Sequence, residues 1–155
     1  RSANLISLFT KQLHVSVRPD QTDEPNRAKY PLIVDQENDI GPIAGILSAG
    51  NFERENAWLV IACDMPYLDK ESIEQLVLHR NMNKMATVFE SPDGSGIEPL
   101  CAIYETVFFE EVRSNPQLIH NSSPRETLAE MDIEIIKALN PRALYSANSS
   151  SDELG

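Results

Sequence analysis

The sequence predicts a three-layer α/β/α sandwich built on a mainly parallel sheet. Apolar runs of strand length alternate with helical patterns along almost the whole chain, which is the order typical of α/β folds. Residues 58–63, Trp-Leu-Val-Ile-Ala-Cys, are apolar on both faces, as in a central parallel strand covered by helices. The 155 residues are enough to bury one core, so we expect residues 1–155 to form a single domain.

Six segments are rich in β-branched and aliphatic residues and end at polar residues or proline, as strands do. They cover residues 13–17, 32–34, 58–63, 85–89, 100–104 and 133–136. A segment over residues 5–13 resembles the latter half of a helix, although a doubly wound fold normally opens with a strand and a phosphate-binding turn. No glycine-rich loop precedes it, so we expect the first βα unit to be missing, disordered or carried on another polypeptide.

Three further helices each have a start signal. Pro42 suits the first position of a helix over residues 43–49, and Asp69 suits the cap of a helix over residues 71–80. Residues 123–126, Ser-Pro-Arg-Glu, form a capping box. The side chains predicted to face the core are Ile73, Leu76 and Val77 in the second helix, and Leu128 and Met131 in the third.

Charge and composition exclude several classes of protein. A net charge of −11 argues against nucleic-acid binding. A protein that acts on polyphosphates needs positive charge, yet there are only 13 Lys and Arg, so metal ions or a segment outside this sequence must supply it. No run is apolar enough to cross a bilayer and no signal peptide is visible, which predicts a cytoplasmic protein. Cys63 and Cys101 lack metal-ligand spacing and are predicted to be buried free thiols.

Asp64 is the first candidate for chemistry. It follows the apolar run of residues 58–63, so its carboxylate would stand at the C-terminal edge of the sheet, where ligands bind in open α/β folds. Pro66 then turns the chain away from the strand. One carboxylate at that edge is able to hold Mg²⁺ when water and substrate phosphates complete its ligands. The alternative is an aspartate that caps the turn after the strand.

Two glycine-containing segments are weaker candidates. Asp35 ends the second predicted strand, and Gly41 and Gly45 then flank a helix start whose free N–H groups suit an anion or a base edge. Residues 94–96, Gly-Ser-Gly, lead into Glu98 and a proline, and such a loop could close over a ligand. The alternatives are a tight turn with close helix packing in the first case and a surface connection in the second.

Taken in order, these segments resemble the molybdenum cofactor guanylyltransferases, which are MobA-like enzymes of the nucleotide-diphosphosugar transferase-like, Rossmann-like fold. That family carries a strand ending in Asp, then Gly-Pro-Leu-Ala-Gly-Ile, Ala-Cys-Asp-Met-Pro-x-Leu, Glu-Pro-Leu-Cys-Ala-x-Tyr and Asn-x-Asn-Thr-Pro. The matching stretches here are residues 35, 41–46, 62–68, 98–104 and 146–150, and residues 15–19 resemble the strand and loop that meet the guanine. The likeness spans nearly the whole chain, and the third and fourth motifs together are specific.

The chain departs from the family in two places. The opening loop Leu-x-Gly-Gly-x-Ser-x-Arg-Met-Gly-x-Asp-Lys, which binds the triphosphate, is absent, so the resemblance identifies an N-terminally truncated member. Without that loop we expect the present chain to be inactive by itself. The last motif keeps only Asn148 of its two asparagines, and Ser149 and Ser150 replace Thr-Pro.

The resemblance implies transfer of GMP from MgGTP to molybdopterin with release of pyrophosphate, with Asp64 as the catalytic and Mg²⁺-holding residue. On the nucleotide side it implies Arg18, Asp35, Gly41, Pro42 and Asp64. On the pterin side it implies Glu98 and Asn148. Arg125 is a candidate for binding the acceptor phosphate, because an arginine side chain suits phosphate geometry; the alternative is a solvated arginine in the first turn of a helix. Other molybdenum cofactor enzymes are further candidate partners.

Two other interpretations remain open. A related cytidylyl- or sugar-nucleotide transferase would share the fold and differ in its base or acceptor. A non-catalytic domain that binds a cofactor or a partner protein would not need the missing phosphate loop.

Overall fold

The computed structural model describes residues 15–17, 32–34, 42–52, 54–62, 65–119 and 123–145. The strands described are β1 (Val15–Val17), β2 (Leu32–Val34), β3 (Trp58–Ile61), β4 (Ala86–Glu90), β5 (Ile97–Tyr104) and β6 (Glu134–Ile136). The α-helices are α1 (Pro42–Phe52), α2 (Lys70–Leu78), α3 (Thr106–Ser114) and α4 (Pro124–Ala129). Short 3-10 turns cover Pro116–Leu118 and Pro141–Leu144. All six predicted strands are therefore confirmed; the strand over residues 32–34 has the predicted ends, and the other five have at least one shifted end.

The described strands form a parallel pair, β1 with β2, and a four-stranded sheet in the order β3-β5-β4-β6. β5 is antiparallel to β3 and β4, whereas β6 is parallel to β4. β3, β4 and β6 thus share one direction and β5 runs against them, so the described four-stranded sheet is mixed. Within the described residues, however, β3 pairs only with β5 and is not a central parallel strand. An apolar strand covered on both faces suits either kind of partner, so its composition could not show this.

Helices cover both faces of the four-stranded sheet, which confirms the predicted α/β/α layers. Val88 and Phe89, neighbours on β4, contribute to two different apolar clusters. The first cluster joins one face to α1, α3 and α4 through Ile46, Phe108, Phe109, Val112 and Leu128. The second joins the other face to α2 and the second 3-10 turn through Ile73, Leu76 and Leu144. Each fully buried side chain of this size stabilises the fold by about 1.5–3 kcal/mol.

The predicted helix starts are confirmed. Pro42 is the first residue of α1. At α2 the Asp69 carboxylate accepts a hydrogen bond from the Ser72 N–H at 2.9 Å, and at α4 the Ser123 hydroxyl accepts one from the Glu126 N–H at 3.1 Å. These bonds satisfy N–H groups that have no partner within the helix.

Side-chain burial in the helices agrees with the prediction except at one position. Ile73, Leu76 and Leu128 are buried, and Met131 packs against the first cluster although α4 ends before it. The prediction for Val77 is wrong, because this side chain is 47% exposed. The buried side of α2 carries Ser72, Ile73 and Leu76 instead.

Helix α3 was not predicted. One residue, Glu105, separates it from the end of β5, and no glycine or proline marks the change. Its aromatic residues Phe108 and Phe109 favour strands as much as helices. Gly50 allows α1 to approach α3 closely, because a Cβ at this position would fall on the Phe109 ring.

The described part of the chain tests two predictions that were drawn from the composition of the sequence. Cys101 is a free, fully buried thiol, as expected, and Cys63 lies outside the described residues. Among the helices described, none combines the length and apolarity needed to span a bilayer.

Candidate functional site

The described residues on either side of Asp64 have defined partners in the sheet and in the core. Before it, the Ala62 N–H donates a hydrogen bond to the Leu100 carbonyl at 2.8 Å, next to the end of β3. After it, Met65 and Leu68 are 3% and 1% exposed and belong to the second apolar cluster. Asp64 itself lies outside the described residues, so its predicted role stays a prediction.

Strand β5 bulges beside the end of β3. Val88 pairs with Ala102, but the next residue of β4, Phe89, pairs with Glu98. Residues 99–101 therefore lie between two consecutive pairs. Such bulges are common next to ligand sites, where they re-aim side chains and end regular pairing.

Hydrogen bonds from the Glu-Pro-Leu-Cys-Ala-x-Tyr motif satisfy the backbone of its own bulge. The Tyr104 hydroxyl donates to the Pro99 carbonyl at 2.7 Å. The Leu100 N–H donates to Oε2 of Glu98 at 2.9 Å, and the Leu100 carbonyl accepts from Ala62. The motif thus encodes a bulge whose backbone groups are hydrogen-bonded by side chains of the motif itself. We had not predicted this role for Tyr104 and Glu98, although a proline inside a strand is a recognised signal of a bulge.

Burial keeps the polar groups behind the bulge in their neutral forms. It raises the pKa of the Tyr104 hydroxyl well above the ordinary range, and the negative charge of Glu98 adds to this effect. Tyr104 therefore remains a hydrogen-bond donor. Burial also raises the pKa of the Cys101 thiol, with further contributions from Glu98 and Asp69. A neutral buried thiol does not act as a nucleophile or metal ligand.

The loop between β4 and β5 lies at the same edge of the sheet, because β4 ends and β5 begins there. The Ser91 N–H donates to the Gly96 carbonyl at 2.8 Å, and the Gly94 N–H donates to the Ser91 carbonyl at 3.0 Å. The Ser95 N–H donates to the Asp93 carboxylate at 2.9 Å. Gly94 has a φ of +75°, a conformation that favours glycine. The loop is a hydrogen-bonded hairpin turn with an exposed tip.

Arg125 lies near this hairpin turn. It is exposed in the first turn of α4. The pKa of Asp93 is held below its ordinary value mainly by the hydrogen bonds from Ser95, and the positive charge of Arg125 contributes to the same shift. Helix α4, which carries Arg125, also contacts β5.

The nucleotide-side candidates follow two paired strands. β1 and β2 are parallel, with Val17 opposite Val34, and α1 contacts both strands. Arg18 and Asp35 come directly after these two residues in the chain. Because the ends of parallel strands lie at one edge of a sheet, the pairing is consistent with a shared site. Five predicted site residues lie outside the described part of the chain: Arg18, Asp35, Gly41, Asp64 and Asn148.

The described residues contain no group of three or more His, Cys, Asp or Glu that could hold a metal ion. The carboxylates of Glu98 and Asp69 already accept hydrogen bonds from Leu100 and from Ser72. Mg²⁺ usually takes only one or two protein carboxylates, with water and substrate phosphates as its other ligands. The predicted donor set of Asp64 plus phosphates fits this preference.

The fold and the position of these segments define the class of protein. It is an α/β protein with its candidate ligand site at the C-terminal ends of β3 and β4, bordered by a bulged antiparallel strand. Comparisons with known proteins agree with this class. Residues 1–134 match the MobA-like NTP transferase domain. The chain belongs to this family, which confirms the resemblance inferred from the motifs.

The chain spans less than half the length of two relatives that it matches. It is 30% identical over 149 residues to the "Molybdenum cofactor biosynthesis bifunctional protein" of Synechocystis sp. (strain ATCC 27184 / PCC 6803 / Kazusa). It is 37% identical over 65 residues to the "Probable molybdenum cofactor guanylyltransferase" of Clostridium perfringens (strain SM101 / Type A). The matches cover 96% and 42% of this chain, but only 43% and 31% of the respective relatives.

A solved structure agrees with the fold. The crystal structure of molybdopterin-guanine dinucleotide biosynthesis protein A from Archaeoglobus fulgidus superposes with a TM-score of 0.68 at 21% sequence identity. The superposition covers 90% of this chain and 73% of that one.

Proposed function

We propose that this chain is the nucleotidyltransferase domain of a molybdenum cofactor guanylyltransferase. Its reaction would transfer GMP from MgGTP to the terminal phosphate of molybdopterin and release pyrophosphate. Membership of the MobA-like NTP transferase family supports the reaction class. The names of both relatives support a role in molybdenum cofactor biosynthesis, and the name of the Clostridium relative supports the choice of a guanylyl group.

The hydrogen bond between Ala62 and Leu100 is the structural observation that supports this proposal most directly. It joins the two most specific motifs of the chain, residues 62–68 and 98–104, at 2.8 Å. The carboxylate expected to hold the metal and the bulge expected to border the acceptor thus belong to neighbouring strand ends. A transferase needs this proximity, because its two substrates must meet at one reacting phosphorus.

The reaction needs positioning and charge neutralisation more than covalent help from the protein. An oxygen of the molybdopterin phosphate forms a bond to the α-phosphorus of GTP, and the bond from that phosphorus to the pyrophosphate oxygen breaks. Mg²⁺ held by Asp64 would supply neutralisation of the phosphate charge. The protein's own part is to hold the two phosphates in line.

The two substrates are proposed to bind on different sides of the C-terminal edge of the sheet. Arg18, Asp35, Gly41 and Pro42 are proposed to bind the guanine and ribose, because they follow β1 and β2 or begin α1. Glu98, Asn148 and Arg125 are proposed for the acceptor. Arg125 suits a phosphate because its planar guanidinium donates two parallel hydrogen bonds.

Activity of the full-length protein tests the proposal. We expect pyrophosphate release and formation of the guanine dinucleotide from GTP, Mg²⁺ and molybdopterin, and little product from CTP. Asp64→Asn should lower kcat by at least about 100-fold, since it weakens metal binding where charge develops. Asp132→Asn is the matched control, because Asp132 is exposed at the opposite edge of the sheet, before β6.

The outcomes separate the interpretations. Turnover with CTP in place of GTP would make the protein a cytidylyltransferase. Binding of GTP or molybdopterin without turnover by the full-length protein would favour a non-catalytic domain. Near-normal turnover by Asp64→Asn would remove Asp64 from the site.

A further inference from the structure

The side chain of Ser91 is buried without a hydrogen-bond partner. Ser91 follows Glu90, the last residue of β4, at the edge of the sheet that borders the candidate site. It is 6% exposed, and its Oγ is buried and makes no hydrogen bond. Among the described residues, no other buried side-chain nitrogen or oxygen lacks a partner.

An unpaired hydroxyl at this position destabilises the free protein. Its removal from water is not compensated, and buried polar groups are therefore nearly always paired in native structures. The turn does not need the hydroxyl, because the backbone N–H of Ser91 donates to the Gly96 carbonyl and its own carbonyl accepts from Gly94. An alanine would form the same two bonds. The hydroxyl therefore needs an explanation outside the fold of the turn.

Ser91 shares one face of the β4–β5 hairpin with Phe89 and Glu98. Phe89 pairs with Glu98, and two residues further along the chain the Ser91 N–H donates to the Gly96 carbonyl. Because side chains alternate between the two faces of paired strands, Ser91 lies on the face that carries Phe89 and Glu98. Phe89 belongs to the second apolar cluster, so Ser91 lies where this cluster meets the edge of the sheet.

The turn after Ser91 is able to move without loss of apolar burial. Residues 92–96 are all exposed, and hydrogen bonds within the hairpin hold them. Gly94 and Gly96 have φ values of +75° and +145°, and a Cβ at either position would meet open space. A segment with few buried contacts opens locally at a small cost in free energy. A ligand is therefore able to displace this turn.

The charge of the hairpin indicates which ligand suits the hydroxyl. Residues 86–104 carry three carboxylates, Glu90, Asp93 and Glu98, and no lysine or arginine. The positive charge of Arg125 reaches Asp93, but the hairpin as a whole is acidic. An acidic surrounding disfavours a phosphate and favours a group that donates N–H. A serine hydroxyl accepts a hydrogen bond from such a donor.

We propose that the Ser91 hydroxyl accepts a hydrogen bond from the heterocycle of the acceptor substrate when the turn over residues 92–96 moves aside. The ligand class is an uncharged heterocycle with N–H donors, such as the aminopyrimidine part of a pterin. This inference rests on the proposed function, in which molybdopterin is the acceptor. The hydroxyl that is unpaired in the free protein is then paired in the complex.

Thermal unfolding of the full-length protein without substrates tests the first part of the inference. Ser91→Ala removes an unpaired buried hydroxyl and should raise Tm by about 2–4 °C. Ser72→Ala is the matched control: Ser72 is 3% exposed, but its side chain is hydrogen-bonded to the Asp69 carboxylate, so this variant should lower Tm. An unchanged or lowered Tm of Ser91→Ala would mean that the hydroxyl has a partner in the free protein, such as an ordered water, and would overturn the proposal.

Binding of 6-hydroxymethylpterin, followed by its fluorescence, tests the second part. Ser91→Ala should weaken binding by about fivefold, the effect of losing one neutral hydrogen bond. Ser95→Ala, a substitution in the exposed part of the same turn, should bind the pterin as the unsubstituted protein does. Inorganic phosphate, as a second probe, should bind equally to all three proteins. Unchanged pterin affinity in Ser91→Ala, or no pterin binding by the unsubstituted protein, would contradict the proposal.

These experiments separate failure of this inference from failure of the proposed function, since neither needs GTP or turnover. GMP transfer by a protein whose pterin affinity does not depend on Ser91 would leave the proposed function standing and refute this inference. Pterin binding that depends on Ser91, in a full-length protein that does not transfer GMP, would have the reverse meaning.

Discussion

The hydroxyl of Tyr104 donates a hydrogen bond of 2.7 Å to the carbonyl of Pro99, five residues earlier in the same strand. The tyrosine is completely buried, and its ring contacts Phe108 edge-to-face with centroids 5.0 Å apart. A single side chain thus links the apolar core to the bulge that borders the candidate site.

Replacing Tyr104 by phenylalanine should isolate this bond. The ring and its packing remain, but the buried Pro99 carbonyl loses its partner, so the free energy of unfolding should fall by about 1–3 kcal/mol. Urea denaturation measures the change. Tyr145→Phe is the control, because that tyrosine is 39% exposed, and equal small effects of both variants would mean that the bond contributes little.

Two substitutions of Glu98 distinguish the contribution of its hydrogen bond to the Leu100 N–H from that of its negative charge. Gln retains an oxygen that accepts the Leu100 N–H, whereas Ala does not. We expect Glu98→Ala to lower the free energy of unfolding by about 1 kcal/mol and Glu98→Gln by less. Both should raise KM for molybdopterin if the carboxylate also meets the acceptor. Equal stability of the two variants would contradict the capping role.

The ion pair between Arg80 and Glu105 should be important for stability. Nε and Nη2 of Arg80 lie 2.7 and 2.8 Å from the two carboxylate oxygens, and the Glu105 side chain is only 3% exposed. The hydrogen bond to Glu105 raises the pKa of Arg80, so the guanidinium stays charged. Arg80→Ala leaves a buried carboxylate without this partner and should cost about 2–3 kcal/mol, less than a fully buried pair because Arg80 is partly exposed.

A double-mutant cycle with Glu105→Gln measures this interaction. The loss caused by Arg80→Ala should be smaller when residue 105 no longer carries a charge. Arg113→Ala, at the end of α3, provides the control. Additive losses would show that the two side chains stabilise the fold independently.

Asp69 should make stability depend on pH. Partial burial raises its pKa, but hydrogen bonds from Ser72 and Asn140 outweigh this and hold the pKa below the ordinary value of 3.8. A lowered pKa in the folded state means that the contribution is fully present above the unfolded pKa and is lost as pH falls through the folded one. Asp69→Asn keeps the helix cap, so its unfolding free energy should fall less between neutral pH and pH about 3. Parallel acid titrations of the two proteins check this.

The periodicity and the cap residues of the sequence predicted the six strands and three of the four α-helices that the structure describes. The strands and the caps of α2 and α4 could be predicted because each depends on a few neighbouring residues. Helix α3 could not, since its helical state depends on Phe108 and Phe109 reaching a cluster built from distant segments. The antiparallel course of β5 was missed for a similar reason, because pairing partners are set by the whole sheet.

The sequence predicted which segments form the candidate site but not how their residues interact. The resemblance drew attention to residues 62–68 and 98–104, and the structure joins them through Ala62 and Leu100. It did not reveal that Glu98 and Tyr104 cap a bulge, because a motif names residues without giving their hydrogen-bond partners. The roles of Asp64 and Asn148 remain predictions.

The position of β5 between β3 and β4 has a consequence for synthesis on the ribosome. β3 and β4 precede β5 in the chain, yet within the described sheet they are joined only through it. A nascent polypeptide that ends before Ile97 therefore contains β3 and β4, the two partners of β5, but no strand to connect them. We expect the sheet to assemble only after Tyr104 has left the exit tunnel, so that the candidate site forms only after β5 has been translated.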